Sequence, residues 1–540
     1  MKAGLRLVDD VRRPGMPPMQ PRPYRMTTAH PTLRNSPDAR QAHPSMDKRV
    51  ETEANAGPMS HEDIRSIIIG IMLAMFLAAL DQTIVATAMP TIGRELNDVA
   101  HLPWVITAYL LASTAVTPLY GKLADIHGRR VTLLSGIVVF IIGSVACAIA
   151  PSLWLLVVAR FVQGLGGGGL IALAQTIIAD MVPPRERGKY QVYIATVFFV
   201  SSVMGPVLGG VIAEALHWSV IFWINLPLGL AAYWMTSSAL KRLPRHERPH
   251  RLDMLGAFLM TSATMTLLLA LSWGGTHYPW ISAPILGLVG LSVGLWIVFA
   301  WRLKSASEPL IPLAILANPV VRDGTIAAGF GMGAFIGLTI YLPLYFETVA
   351  GLSATYSGLG LLPLTCGTVI GATLSGQALT RTTHYKRLPV IGLSIALAGM
   401  IVLAVFAGRM PLIPFGLMLA VVSFGLGTML PVATVSIQNA VLAHQMGTAT
   451  AVANFFRQIG GALIVAVFGA IVLGGVGGQG AGLSPEALKL GAVDRETMAR
   501  LFGYVFAATA FGFAMALTFM IRMKELPLRS NAVEAAKVGE

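Results

Sequence analysis

The stretch IIIGIMLAMFLAALDQTIVATAMP at residues 67–90 decides the fold, because it is apolar over 24 positions and holds one charge, Asp81. A bilayer core is crossed by a helix of about 20 mainly apolar residues, so this run is read as a membrane span. Similar runs recur on both sides of short polar breaks. They place spans near 65–88, 104–123, 131–150, 153–179, 190–214, 219–239, 254–273, 283–301, 325–349, 354–379, 388–407, 412–435, 446–475 and 501–522. The expected fold is an all-α polytopic membrane protein with fourteen spans. Composition agrees: 55% of the 540 residues are hydrophobic and 12% charged, which makes lipid the solvent for most of the chain.

Charge then sets orientation. Basic residues fall on alternate loops: Lys122, Arg129 and Arg130; Arg185, Arg187 and Lys189; Lys241 through Arg251; Arg302, Lys304 and Arg322; Arg381, Lys386 and Arg387. The positive-inside rule assigns those loops, and with an even span count both termini, to the cytoplasm. This accounts for the net charge of +13 without a nucleic-acid partner. The two cysteines, Cys147 and Cys366, sit far apart in apolar runs, so neither a disulfide framework nor a metal site is expected. Residues 1–63 lack an apolar stretch and mix acids with bases, and are expected to form a disordered cytoplasmic tail; Met46 or Met59 is an alternative start.

An internal repeat supports the count. GKLADIHGRR from Gly121 ends the second span, and GQALTRTTHYKR from Gly376 ends the tenth. A second pair runs from Gly164 through Gln175 to Gly188, and from Gly425 through Gln438 to Gly447. The simplest arrangement is two six-span halves in parallel repeat, 64–239 and 325–522, joined by a linker at 240–324 with two extra spans and followed by a cytoplasmic tail at 523–540.

Charges inside spans are functional candidates, since each costs about 2.5–3.5 kcal/mol at the bilayer centre. Asp81 and Arg160 lie at similar distances from the same membrane surface, so they can meet across the central cavity. There the arginine would hold the carboxylate ionised until a proton or the cargo changes the contact. The competing reading is a permanent ion pair that fixes packing. Span thirteen carries Asn454, Arg457, Gln458 and Gly461 at i, i+3, i+4 and i+7, a polar face expected to look into the cavity or to clamp a neighbouring helix. Tyr109, Trp223, Tyr341 and Phe455 are candidates to stack on a flat or cationic cargo, or to serve as packing. On span five Gly205, Pro206, Gly209 and Gly210 remove side chains and loosen the helix. In the loop read at 121–130, Gly121 and Gly128 are expected to form turns. Asp125, Arg129 and Arg130 there are expected to bond helix ends as a latch.

These stretches together resemble the fourteen-span drug/proton antiporter family of the major facilitator superfamily, over about 64–522. Gly121 to Arg130 looks like that family's loop motif between spans two and three. Arg160 with Gln163 and Gly164 looks like its fourth-span motif, and Gly205 to Gly210 like its fifth-span antiporter signature. LDQTIVATAMP resembles the first-span motif whose aspartate couples protons, and FWINLPLG from Phe222 fits the sixth span. The resemblance implies proton-coupled efflux of lipophilic, often cationic compounds across a bacterial inner membrane, with Gln163 joining the cavity residues. Ala86, Ile126, Ser219 and Glu347 depart from the family pattern, which leaves the cargo open between a drug, a lipid and a dedicated metabolite.

The sequence has no phosphate-binding GxxxxGK[ST] loop, so an ion gradient rather than ATP is expected to supply the work. Its histidines lie singly and no HExxH or paired carboxylates occur, which argues against an enzyme. No cofactor is expected, and the partners are a small-molecule substrate, protons and the bilayer. A monomer is expected; an importer, and a periplasmic adaptor at the loop near Gly477, stay open as alternatives.

Overall fold

The computed structural model describes residues 61–98, 101–242, 252–477 and 494–528. Most of the tail expected at 1–63, the last part of that expected at 523–540, and the loop following Gly477 lie outside these residues. The first half contains α1 (His61–Glu95), α2 (Pro103–His127), α3 (Arg129–Ala148), α4 (Leu153–Gly167) continued by α5 (Leu170–Met181), α6 (Arg187–Ala215), and α7 (Val220–Trp223) continued by α8 (Asn225–Ala239). Next come α9 (Met254–Trp273), α10 (Ala283–Ser305) and the short α11 (Leu313–Ala317). The second half contains α12 (Pro319–Thr348), α13 (Ala354–Leu359) leading into α14 (Leu362–Arg381), α15 (Arg387–Val405), α16 (Leu412–Asn439), α17 (Met446–Gly477) and α18 (Arg495–Arg522).

Among the described residues, 13 helices are long and apolar enough to cross a membrane. The fourteenth span of the sequence reading is α2, a helix of 25 residues whose Ser113, Thr114 and Thr117 lower its hydropathy. Those hydroxyls are buried inside the protein, so α2 gives up lipid-facing character to line the interior.

The helices run past the expected span limits, and one expectation fails for that reason. Gly121 makes no turn: α2 continues through it to His127, and only Gly128, at φ 88°, adopts the left-handed backbone that favours glycine. What Gly121 provides is absence of volume, since a Cβ there would collide with the Ala451 side chain and the Gly447 carbonyl of α17.

Each half has its own apolar core. One core draws only on residues from Val320 to Met523, and two others only on residues from Ile67 to Leu240. In the first half α1 packs on α6 and α8, and α4 packs on both α2 and α3. In the second half α14 and α15 pack on α16, while α12 packs on α17 and α18. The extra pair α9 and α10 packs on itself and lies against α2 and α17, with Trp273 edge-on to Trp104 at 5.6 Å.

The repeat read in the sequence closes on itself between the halves. Gly121 meets Gly447, and Gly188 meets Gly376, so each motif of one half abuts the other motif of its partner half. Gln175 and Gln438, the matched glutamines, also touch: the Gln438 amide donates to the Gln175 carbonyl at 3.3 Å.

Candidate functional site

The cluster around Asp81 forms where α1, α3, α4 and α8 converge inside the first half. Asp81 is 0% exposed and Arg160 1%. Arg160 Nη1 donates to Asp81 Oδ2 at 2.5 Å and to Gln163 Oε1 at 2.6 Å, while its Nε reaches the Val105 carbonyl at 3.2 Å. The other carboxylate oxygen, Oδ1, accepts from Gln163 Nε2 at 2.8 Å and Asn225 Nδ2 at 3.0 Å. Gln163 Nε2 also donates to Ser144 Oγ at 2.8 Å, and the guanidinium carbon lies 4.3 Å from the centre of the Tyr109 ring. Both oxygens of Asp81 are therefore held by donors.

Glycines let these helices approach closely enough for that network. A Cβ on Gly143 of α3 would strike the backbone of Gln163, and one on Gly164 of α4 would strike the Tyr109 carbonyl. The glycine stripe after Arg160 thus sets the depth of the arginine and glutamine beside Asp81. The two charges do meet. Their meeting place differs from expectation: it is the interior of one half, not the space between the halves. Three hydrogen bonds to the two oxygens of Asp81 offset the desolvation cost of burying the pair there.

Between the halves runs a second polar assembly, which we call the seam. At the end of the bundle that carries the basic loops, Asp125 of α2 caps the start of α17. It accepts from the Gly447 N–H at 3.2 Å, the Thr448 N–H at 2.8 Å and the Thr448 hydroxyl at 2.6 Å. Arg129 holds Asp125 at 2.5 Å and Asp180 at 2.8 Å. A carboxylate at a helix N-terminus satisfies free N–H groups and meets the positive end of the helix dipole. Asp125 and Arg129 thus bond at the helix end, while Arg130 turns instead to the Ser237 carbonyl and hydroxyl of α8 at 3.1 Å each. On the other flank Arg185 donates to the Thr380 carbonyl at 3.3 Å.

Toward mid-membrane, Asn454 Nδ2 donates to Gln175 Oε1 at 2.8 Å. Thr114 donates to Gln458 Oε1 at 2.7 Å, and Gln458 Nε2 reaches Thr117 Oγ1 at 3.4 Å. These contacts and those at the basic end join 64–239 to 325–522. The seam is thus hydrogen-bonded from the middle of α17 to the basic end.

Asp125→Asn is expected to loosen the seal, because it removes the charge from bonds worth about 1.5–3 kcal/mol apiece. Maleimide labelling of Thr450→Cys, whose parent residue is 1% exposed in the seam, should accelerate about tenfold or more in a background lacking Cys147 and Cys366. Unchanged labelling would show that the capping contacts do not hold the halves together.

The other residues separate. Asn454 and Gln458 reach across the seam as expected, and Arg457 bonds Thr434 Oγ1 of α16 at 3.2 Å. Phe455 does not face the seam: it is 1% exposed and packs at 6.2 Å from Trp296 of α10, because one residue step rotates it about 100° from Asn454. Tyr109 belongs to the Arg160 cluster rather than to the seam, and Trp223 is 39% exposed on α7. Tyr341 stands edge-on to Phe468 at 5.9 Å. On α6, a Cβ at Gly205 would clash with Thr83 and one at Gly209 with Thr87, whereas Gly210 has open space; Pro206 lies exposed inside an unbroken helix. Ser144, Asn225, Thr114 and Thr117 escaped the sequence reading as site residues. Asn225 alone left a signal, as the one strongly polar side chain in FWINLPLG.

Comparison with known proteins agrees with this architecture. The family model described as Major Facilitator Superfamily matches residues 71–465. "Multidrug transporter protein MdtP" of Bacillus subtilis is 32% identical over 75% of this chain and 75% of its own length. "Multidrug resistance protein 3" of the same organism is 33% identical over 75% of this chain and 79% of its own. Among solved structures, the proton:xylose symporter XylE superposes with a TM-score of 0.60 at 16% identity, covering 89% of this chain and 100% of that one, a likeness of fold.

Proposed function

This chain belongs to the major facilitator superfamily of membrane transporters, and from that premise we propose that it exports lipophilic small molecules in exchange for protons. The two relatives named for multidrug transport support the export reading. The observation that carries the mechanism is a seam hydrogen-bonded toward its basic end, beside a half that buries an ion-paired acid. Halves 64–239 and 325–522 rock about the seam; opening of the basic end releases the Asp125 cap and the Gly188–Gly376 contact. Asp81 exchanges its proton in the state in which the first half relaxes around Arg160. The distribution of Lys and Arg supports a cytoplasmic basic end, and the family resemblance and the Bacillus relatives support a bacterial cytoplasmic membrane as its location. One chain supplies both halves of the seam, so the working unit is a monomer.

Proton coupling is energetically sufficient. One charge moved through 100 mV releases about 2.3 kcal/mol, enough for roughly fifty-fold accumulation of a neutral solute. The expected cationic character of the cargo draws no support from the seam. The groups meeting at mid-membrane, Thr114, Thr117, Gln175, Asn454 and Gln458, include no carboxylate.

The test is transport in liposomes holding the purified protein under an imposed pH gradient, with an internal pH dye. Uphill movement of an uncharged lipophilic dye, opposite in direction to the protons and stopped by collapsing the gradient, is the expected result. Dye movement in the same direction as the protons would replace export with import, and movement indifferent to the gradient would remove proton coupling.

A further inference from the structure

Arg457 is a cation inside a membrane span, and its surroundings leave it incompletely used. It forms no ion pair among the described residues, and its one hydrogen bond is the contact to Thr434 at 3.2 Å. Its Nε is buried without an acceptor. Arg160, the other arginine in the core of a span, has a carboxylate at 2.5 Å, so the contrast lies in what the fold provides to each.

The position of Arg457 relates it to the seam. Its neighbours Asn454 and Gln458 on α17 both reach across the seam. Its partner Thr434 lies one turn of α16 from Gln438, which reaches Gln175 across the same seam. Counting along α17 away from the basic end, Arg457 comes one turn after the contact between Asn454 and Gln175. The guanidinium therefore lies beyond the Asn454–Gln175 contact as counted from the basic end, half-buried, beside the hydrogen bonds of Gln458 that join the halves.

We propose that Arg457 is the recognition group for an acidic function on the cargo, so that the transported compounds are lipophilic organic anions. The inference rests on the export reading and adds the charge class. A planar guanidinium with unfilled N–H donors matches a carboxylate or sulfonate through charge-assisted hydrogen bonds. The absence of a carboxylate from the hydrogen-bonded groups around it leaves the positive charge unopposed there, which attracts organic anions and repels organic cations. Gln458 and Thr434, on either side of it, offer further polar contacts.

Three dyes serve as probes: 1-anilinonaphthalene-8-sulfonate, its uncharged parent N-phenyl-1-naphthylamine, and the cation ethidium. The full-length protein in liposomes should carry the sulfonate faster than ethidium. Arg457→Gln should cut sulfonate transport about tenfold or more, the equivalent of one lost charge-assisted bond, and leave the uncharged parent within about twofold. Arg457→Lys, which keeps the charge and loses the fork, should fall between. Equal loss for both naphthalene dyes would make Arg457 a packing residue and overturn the proposal. Ethidium carried best, and carried equally by Arg457→Gln, would overturn it while leaving export intact. Equilibrium binding in lipid nanodiscs separates the two ideas. Asp81→Asn protein should bind the sulfonate with the same dependence on Arg457 even if it no longer pumps. Binding indifferent to Arg457 in that background would defeat the anion site alone.

Discussion

Asp81→Asn is expected to abolish proton-driven transport while the chain still inserts in the membrane. The substitution is nearly isosteric, so the amide oxygen can still accept from Gln163 and Asn225, which bond Oδ1 at 2.8 and 3.0 Å. The carboxylate that faces Arg160 at 2.5 Å is lost, and the arginine stays in place at 1% exposure with its charge uncompensated. Removing one partner of a buried pair costs about 3–5 kcal/mol, so the purified variant should also melt earlier. Stability and coupling are separable through the double variant Asp81→Asn/Arg160→Gln, which removes both charges. We expect it to regain much of the lost stability and none of the proton coupling. Recovery of gradient-driven transport together with stability would mean that the pair is scaffolding, and that the exchanging proton sits elsewhere.

The second large effect concerns the places where the halves touch backbone to backbone. Gly188→Ala and Gly121→Ala each place a methyl group against a carbonyl of the opposite half, Gly376 in one case and Gly447 in the other. Overpacking a close contact costs about 1–3 kcal/mol, and the two sites lie on different helix pairs, so their costs should add. The combined penalty of about 2–6 kcal/mol falls on the sealed state alone. A shift of about 5.5 kcal/mol inverts a two-state population from 99:1 to 1:99. The double variant is thus expected to rest with its basic end open and to lose transport by about a hundredfold. Labelling of Thr450→Cys should rise in parallel. A double variant that transports and labels like the parent would show that the halves never need to come this close.

Much of this molecule was legible in the chain. The run at 67–90 and its successors announced membrane helices, because a backbone in hydrocarbon must satisfy its own hydrogen bonds and apolar length alone reports that demand. That Asp81 and Arg160 could meet followed from counting residues along two spans. The repeat pairs named the four glycines that meet between the halves, although their pairing across the seam was not readable. Asp125 between Gly121 and Gly128 pointed to a contact with a helix end, and the structure supplies α17 as that helix.

Facing was another matter. Phe455 and Asn454 are adjacent in sequence, and nothing in their order says that one packs on Trp296 of the extra helix pair while the other crosses to Gln175. Gly121 read as a turn because glycine frees the backbone; it proved to be a place where glycine admits a second backbone. Sequence by itself determined that the chain folds into long apolar helices and which breaks between them carry positive charge, since these depend on hydropathy and length along one chain. Tertiary structure alone decided that Asp81 and Arg160 are sealed within one half, and that Arg457 faces the seam with no acid beside it. Those facts depend on which neighbour covers each face of a helix, and that is set by the mutual packing of all of them at once.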